Sequence, residues 1–386
     1  MSTALITPSI LIWARKRAYF TLEKLAESLK TTSDKVQLWE SGELKPTFPQ
    51  AQKIAKLFQI PFGYLFLKEP PKDTLPIPDL RTFHNEPVNE LSPEFKNLLN
   101  DVTLKQKWYK DYILENDGDE KYFLQQYTIK DSKESIINNI NKILHLEKYI
   151  AKSLQKRQFL NKIVYEIEKL DILVMKNGIV GSNTHKSLRV SEFRGFAIYD
   201  KFAPLIFLNS KDTLSAQIFT IIHELVHLWI GESGVSLLDF NHTDNDIELF
   251  CNEITANILV PNTLLNQYWD SNLDLEENYT DIANIFSVST LVILNKLYGL
   301  KYISYENYIH YVEIEQNKFL EYAKNKPKSP GGDFYKTLKT RNGTNFSNAL
   351  ITSTLEGKTL YKDAANLLNT NFSNINKFAK ELKIMQ

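Results

Sequence analysis

Two histidines four residues apart, with a glutamate beside the first, are the most chemically pointed feature of this 386-residue chain: His223-Glu224-Leu225-Val226-His227. On a helix, residues four apart project from one face, so both imidazoles can reach one ion. Zinc is a Lewis acid that lowers the pKa of the water it binds. Glu224 can face that water, take its proton and later pass it to a leaving amine. Such an assembly hydrolyses an amide without a covalent intermediate. The flanking residues Ile221, Ile222, Leu225, Val226, Leu228, Trp229 and Ile230 are apolar. Two histidines and a carboxylate in so apolar a helix are costly to bury without partners.

A catalytic zinc needs a third protein ligand, leaving the fourth position for water. The expected ligand is Glu253, in the apolar-periodic stretch Glu248–Pro261. There Glu253 and Asn257 lie one helical turn apart, so Asn257 is expected to orient a ligand histidine while Glu253 binds the metal. Glu248, Asp244, Asp246 and His242 are the alternative ligands. Zinc (Zn2+) is the expected cofactor, and manganese (Mn2+) also suits a two-histidine, one-carboxylate site. Cys251 reads as a small buried hydrophobe. Arg194, His242 and Tyr199 are the candidates for contact with substrate or transition state. His84, His145, His185 and His310 have no motif around them.

The elements that must position these residues form an α+β pattern. Ile172–Met175, Phe193–Tyr199 and Leu205–Leu208 read as strands, and residues 215–230 and 246–260 as helices. The expected fold is a zincin-like core, a small sheet with metal-binding helices, between an all-α N-terminal domain and a helical C-terminal region. The expected division is 1–69 helix-turn-helix, 70–91 proline-rich linker, 92–160 helical connection, 161–275 metallopeptidase core, 276–325 helical extension and 326–386 basic helical domain. Helices in the first part are expected at Ser9–Arg17, Leu22–Leu29, Ser33–Ser41 and Phe48–Phe58.

Net charge is zero, yet both ends are basic. Residues 1–70 hold ten Lys/Arg against six Asp/Glu, and residues 326–386 hold ten against four. Basic ends can attract nucleic acid or an acidic protein. No stretch approaches 18 uninterrupted apolar residues, so no membrane span is expected. The single cysteine and the lack of a secretory pattern point to the cytoplasm.

A spacing repeat runs through the helical segments. Ala26, Leu29, Thr31 and Val36 share offsets with Ala283, Phe286, Val288 and Ile293, and with Ala365, Leu368, Thr370 and Ile375. The spacing suits two short helices joined by a tight turn, although plain helix packing accounts for the second and third copies. In the first copy Ser33–Ser41 would enter a DNA major groove. Thr31, Thr32, Ser33, Asp34, Lys35 and Gln37 are its outward polar residues; Gln37 could read a base edge and Lys35 contact phosphate, while Trp39 packs inside. A protein-docking role for the same fold is the alternative.

The helix His223–His227, the following Gly231-Glu232-Ser233-Gly234, and Glu253-x-x-Ala256-Asn257 ending in Leu259-Val260-Pro261 resemble the ImmA/IrrE family of metallopeptidases. Glu192-Phe193-Arg194-Gly195-Phe196 and Ala203–Asn209 resemble it too. The N-terminal Trp39-Glu40-Ser41-Gly42 with Pro46-Thr47 resembles Xre-type helix-turn-helix repressors, and Gly331-Gly332-Asp333-Phe334-Tyr335 a tail of longer members. The resemblance implies a regulatory metalloendopeptidase that cleaves or inactivates a repressor, in a mobile-element, stress or phage-defence context. It implies His223, His227 and Glu253 as metal ligands and Glu224 as the acid/base. It also implies that Arg194 and the strand Leu205–Leu208 lie beside the cleft, where an edge strand could hold a substrate segment. The competing expectation is a DNA-binding transcription regulator whose metal centre is structural or sensory. Repressor-type domains often pair, so a homodimer is an expected form.

Overall fold

The computed structural model describes residues 3–18, 20–58, 60–70, 91–232, 234–236, 246–324 and 332–385. The proline-rich linker, His84, Ser233, His242, Asp244 and Gly331 lie outside the described residues, apart from the linker's ends at 70 and 91. The chain divides into two compact units, Met1–Asn100 and Asp101–Gln386.

The first unit is helical: α1 (Pro8–Arg17), α2 (Leu22–Leu29), α3 (Ser33–Ser41) and α4 (Phe48–Phe58), followed by a 3-10 turn at Phe62–Phe66. Pro8 starts α1 one residue before the sequence expectation, at a position where a missing N–H costs nothing. Thr21 and Thr32 cap α2 and α3 by accepting from the backbone N–H of Lys24 and Lys35. Ile10, Ala14, Leu25, Leu29, Val36, Trp39, Ile54 and Phe58 fill one core. Arg15 and Glu40 tie α1 to α3 through two hydrogen bonds of 2.6 and 3.0 Å. Thr32, Lys35 and Gln37 are exposed and Ser33 half-buried.

Helix α5 (Pro93–Glu115) runs across the boundary between the units. The second unit continues with α6 (Lys133–Leu144), α7 (Lys156–Glu168), β1 (Leu173–Asn177), β2 (Ile179–Val180), β3 (Asn183–Ser187), β4 (Gly195–Ile198), β5 (Leu205–Asn209) and α8 (Leu214–Ile230). Then come β6 (Gly234–Ser236), α9 (Asp246–Leu259), α10 (Asn262–Tyr268), α11 (Leu275–Phe286), α12 (Thr290–Gly299) and α13 (Tyr305–Lys324). The last helices are α14 (Phe334–Asn342), α15 (Thr344–Leu355), α16 (Tyr361–Leu367) and α17 (Ile375–Glu381). The architecture is α+β. A four-stranded sheet has the order β1-β5-β4-β6, with β1 parallel to β5 and the other pairs antiparallel; β2 and β3 form a separate hairpin.

Strands β4 and β5 are buried along their whole length, as expected of a sheet covered on both faces. β5 therefore cannot be the edge strand that the sequence suggested for holding substrate. β1 and β4 already use its backbone groups on both sides. Helix α8 packs on β4 and β5. Thr213 caps its start by accepting from Ala216 N–H, and Gly231 ends it in the left-handed conformation at φ +76°. Every residue from Gln217 to Ile230 is buried. Among the described residues no single helix is long and apolar enough to cross a membrane.

The C-terminal helices are anchored on β1 and α7. Gly343, at φ +79°, sits where a Cβ would lie 2.6 Å from the Val174 carbonyl oxygen. The next two residues grip α7: Thr344 N–H donates to Glu168 Oε1, and Asn345 Nδ2 to the Glu168 carbonyl, each at 2.6 Å.

Candidate metal centre

Helix α8 presents His223 and His227 one turn apart, and α9 packs across them. The two Nε2 atoms stand 3.0 Å from each other. A carboxylate completes the group, and it is Glu248: its Oε2 is 3.0 Å from His223 Nε2 and its Oε1 is 3.3 Å from His227 Nε2. Both imidazoles are buried, and the Glu248 side chain is 17% exposed. Among the described residues this is the group of His, Cys, Asp and Glu side chains that could hold a metal ion.

Glu253 is placed elsewhere. Its side chain is 56% exposed and forms an ion pair with Lys133. Glu253 is five positions on from Glu248, which turns it about 140° around the helix from the first. The face of α9 turned to α8 carries Glu248, Cys251, Asn252 and Thr255, at spacings of three and four. The structure thus turns the face that carries Glu253 away from the two imidazoles and brings Glu248 to them. Asn257 goes with Glu253: its Nδ2 donates to the Glu253 carbonyl at 2.9 Å, and its Oδ1 accepts from Lys296 Nζ at 2.8 Å. Burial lowers Lys296 to about 8. Asn257 therefore orients a buried lysine and not a ligand histidine. The neighbours that bear on the imidazoles are Asn252 for His223 and Cys251 for His227. Sequence reasoning passed over Asn252 and read Cys251 only as a hydrophobe. Their three- and four-residue offsets from Glu248 were the available signal.

The donor set passes a test of fit for a divalent cation. Donor atoms around tetrahedral zinc, each about 2.0–2.2 Å from the ion, stand about 3.3–3.6 Å apart. The separations of 3.0, 3.0 and 3.3 Å are close to that. Two neutral imidazoles can share one N–H between their Nε2 atoms, but the Glu248 oxygens face the same two nitrogens, so one of these close N···O or N···N contacts is left without a proton. Burial lowers the pKa of His223, against the pull of Glu248. Burial also opposes charge on His227, but Cys251 and Glu248 outweigh it and raise that pKa. Burial likewise works against the Glu248 carboxylate, and its hydrogen bonds to both imidazoles hold it well below the usual carboxylate range all the same. One shared positive charge, balanced by one carboxylate, is the charge state the geometry favours. A divalent cation among the three donors would supply positive charge there with both rings neutral.

Glu224 is fully buried beside this group and lies against β4. A Cβ on Gly195 would stand 3.2 Å from Glu224 Oε1, 2.9 Å from the Phe207 carbonyl oxygen and 2.5 Å from Thr220 Cγ2. Gly195 is thus the residue that lets helix and strand approach closely enough to enclose Glu224. Gly195→Ala is expected to destabilise the fold by about 1–3 kcal/mol through overpacking. Thermal denaturation reads this, and an unchanged melting temperature would contradict the close approach.

The remaining candidates are engaged elsewhere. The Arg194 guanidinium is 3.3 Å from Asp212, which precedes the cap of α8. Eleven residues on from Asp212, His223 lies on the order of 16 Å further along the helix. Tyr199 donates its hydroxyl to Gln125 at 2.7 Å, and Gln125 packs on Gly231, one helical turn past His227.

Comparison with known proteins gives two matching families. Residues 167–298, which run from before β1 into α12 and include His223, Glu224, His227 and Glu248, match the peptidase family model described as the IrrE N-terminal-like domain. Residues 342–381 match a domain of unknown function, DUF8813. No curated protein sequence matches. Among solved structures, the chain is similar to Bacillus thuringiensis PlcR, crystallised in complex with the peptide PapR7 and DNA. That similarity has 14% identity over 98% of this chain and 92% of the other, with a TM-score of 0.15.

Proposed function

Residues 167–298 being an IrrE N-terminal-like domain of the ImmA/IrrE family, we propose that this chain is a zinc-dependent metalloendopeptidase acting on a regulatory protein. The observation that carries the reading is the buried convergence of His223, His227 and Glu248 from two helices, with Glu224 enclosed next to them. His223 and His227 would hold the cation through Nε2 and Glu248 through its carboxylate. The bound cation supplies Lewis-acid chemistry toward water and a peptide carbonyl. Glu224 accepts the proton of the attacking water and returns it to the amide nitrogen as the peptide bond breaks. Asn252 and Cys251 neighbour the two rings and would orient them around the cation. The apolar wall of α8 and the sheet keep bulk water from Glu224, which strengthens its interaction with the transferred proton.

The substrate class follows from the family resemblance and the helical first unit. We take the substrate to be a transcriptional repressor, bound by the first unit or through DNA that both proteins occupy. The exposed Thr32, Lys35 and Gln37 of α3 are the candidate reading surface. Incubating the zinc-loaded chain with the repressor encoded beside it should yield discrete fragments, and a chelator should suppress them. Persistent full-length repressor in the presence of verified metal would remove the peptidase reading. Repression unaffected by loss of hydrolysis would instead favour a regulator with a structural metal.

A further inference from the structure

The spacing repeat is also a repeat of geometry, and its third copy has a surface of its own. In the first copy the Thr31 N–H donates to the Ala26 carbonyl at 2.9 Å, across Lys30 at φ +55°. In the second, Val288 donates to Ala283 at 3.0 Å across Ser287 at φ +59°. In the third, Thr370 donates to Ala365 at 2.9 Å across Asn369 at φ +53°. Each time an extended residue, Thr32, Ser289 or Asn371, then stands at the start of the next helical segment, and Thr32 also caps it by accepting from the Lys35 N–H. Ala365, Leu368 and Ile375 are buried like Ala26, Leu29 and Val36. Helices α11 and α12 meet at 112°, within the range of helix-turn-helix pairs.

The copies differ in what the second helix leaves open. α12 buries Val292, Ile293, Leu294, Lys296 and Leu297, so its copy serves the core of the peptidase domain. The segment Phe372–Glu381 buries only Ile375, Phe378 and Ala379. It exposes Ser373, Asn376, Lys377 and Lys380, with Lys383 just beyond and Glu381 as its one acid. Phe372, at its start, is 71% exposed.

A hairpin flanks this third turn. Ser182, at the tip of β2–β3, donates its hydroxyl to the Asn369 carbonyl at 2.6 Å. Gly181 lies so close to Asn369 that a Cβ would be 3.0 Å from its Oδ1. β3 is exposed along Asn183, Thr184, His185 and Ser187. Residues 179–189 contain Lys186 and Arg189 and no acid.

We propose that α16, α17 and the β2–β3 hairpin form a winged helix-turn-helix surface that binds double-stranded DNA. The Phe372–Glu381 segment would lie in the major groove, with the hairpin along the backbone. Lysines at 377, 380 and 383 neutralise phosphates. The amides of Asn371 and Asn376 suit base edges, and the Phe372 ring suits a thymine methyl group. This assigns a role to the domain of unknown function and does not depend on the metal centre.

The test uses the full chain with Lys35→Glu and Gln37→Ala already in place, so that α3 does not contribute. Fluorescence anisotropy against a mixed-sequence duplex of about 30 base pairs, over about 50–200 mM salt, reads the affinity and its salt dependence. Adding Lys377→Glu and Lys380→Glu should weaken binding at least tenfold at ~100 mM salt and reduce the salt slope by about 2. Lys358→Glu makes the same kind of charge change and should have no effect. That residue pairs with Glu356 and faces Tyr112 and Glu115 on α5, roughly 21 Å along the helix from the Asp101 that Asn369 contacts. These positions are exposed, and equal melting temperatures confirm intact folding. Absence of duplex binding, or equal loss in the Lys358→Glu variant, overturns the proposal. So does displacement of the duplex by polyglutamate at equal charge concentration, which would assign the surface to an acidic protein.

Discussion

Glu248→Ala should release the metal, while Glu253→Ala should keep it. Removing a group that merely orients a ligand costs about 10–100-fold in metal affinity, so losing a direct ligand should cost more than that. Metal content by mass spectrometry and a zinc titration of the apoprotein read the difference. Glu253 is exposed and pairs with Lys133, and a single exposed ion pair contributes little to stability. Its removal should therefore leave both metal content and melting temperature near those of the parent. Glu248→Ala frees two buried imidazoles from their carboxylate, so its unfolding is best compared with the parent stripped of metal. The reverse pattern, zinc retained by Glu248→Ala and lost by Glu253→Ala, would mean that α9 packs on α8 with its other face.

Glu224→Gln should retain metal and lose hydrolysis. The amide has nearly the shape of the carboxylate, so the packing against Gly195 and Thr220 is preserved. It cannot take a proton from water at neutral pH. Proton transfer by a positioned side chain contributes about 10²–10⁴ in rate, and the loss in kcat should fall in that range. Zinc stoichiometry should stay at the parental value, because Glu224 is not one of the three donors. A variant that binds zinc fully and still cuts at the parental rate would take Glu224 out of the chemistry. This measurement also separates the peptidase reading from a regulatory one, since only hydrolysis should change.

Much of the site was written in local patterns. The run from Thr213 to Gly231 carries its own start and stop: a hydroxyl that caps the first turn, apolar residues through the middle, and a glycine free to take φ +76° at the end. Once that helix forms, His223 and His227 must share a face. The spacing repeat was legible for the same reason, although the sequence offered plain helix packing for its second and third copies. Their offsets reflect one turn closed by one hydrogen bond, and all partners lie within eleven residues.

The ligand from α9 was not legible in that way. Its periodicity shows a helix and offers two acids, Glu248 and Glu253, on faces about 140° apart. The local pairing of Glu253 with Asn257 is real, at 2.9 Å between side chain and backbone, but it looks toward Lys296 and Lys133. The strand Leu205–Leu208 was found as a strand, yet its inner place between β1 and β4 depends on partners 32 residues upstream and a hairpin beside it.

By itself, then, the sequence determined the metal-binding helix, the acid beside its first histidine and the repeated turns. The tertiary structure alone decided which carboxylate joins the histidines, which strand is inner and which helix pair keeps an open face. Helical periodicity is a property of neighbouring residues. The rotation of one helix against another is set by burying Phe250, Cys251, Ile254 and Ile258 against segments far away in the chain, and the acids follow wherever that burial turns them.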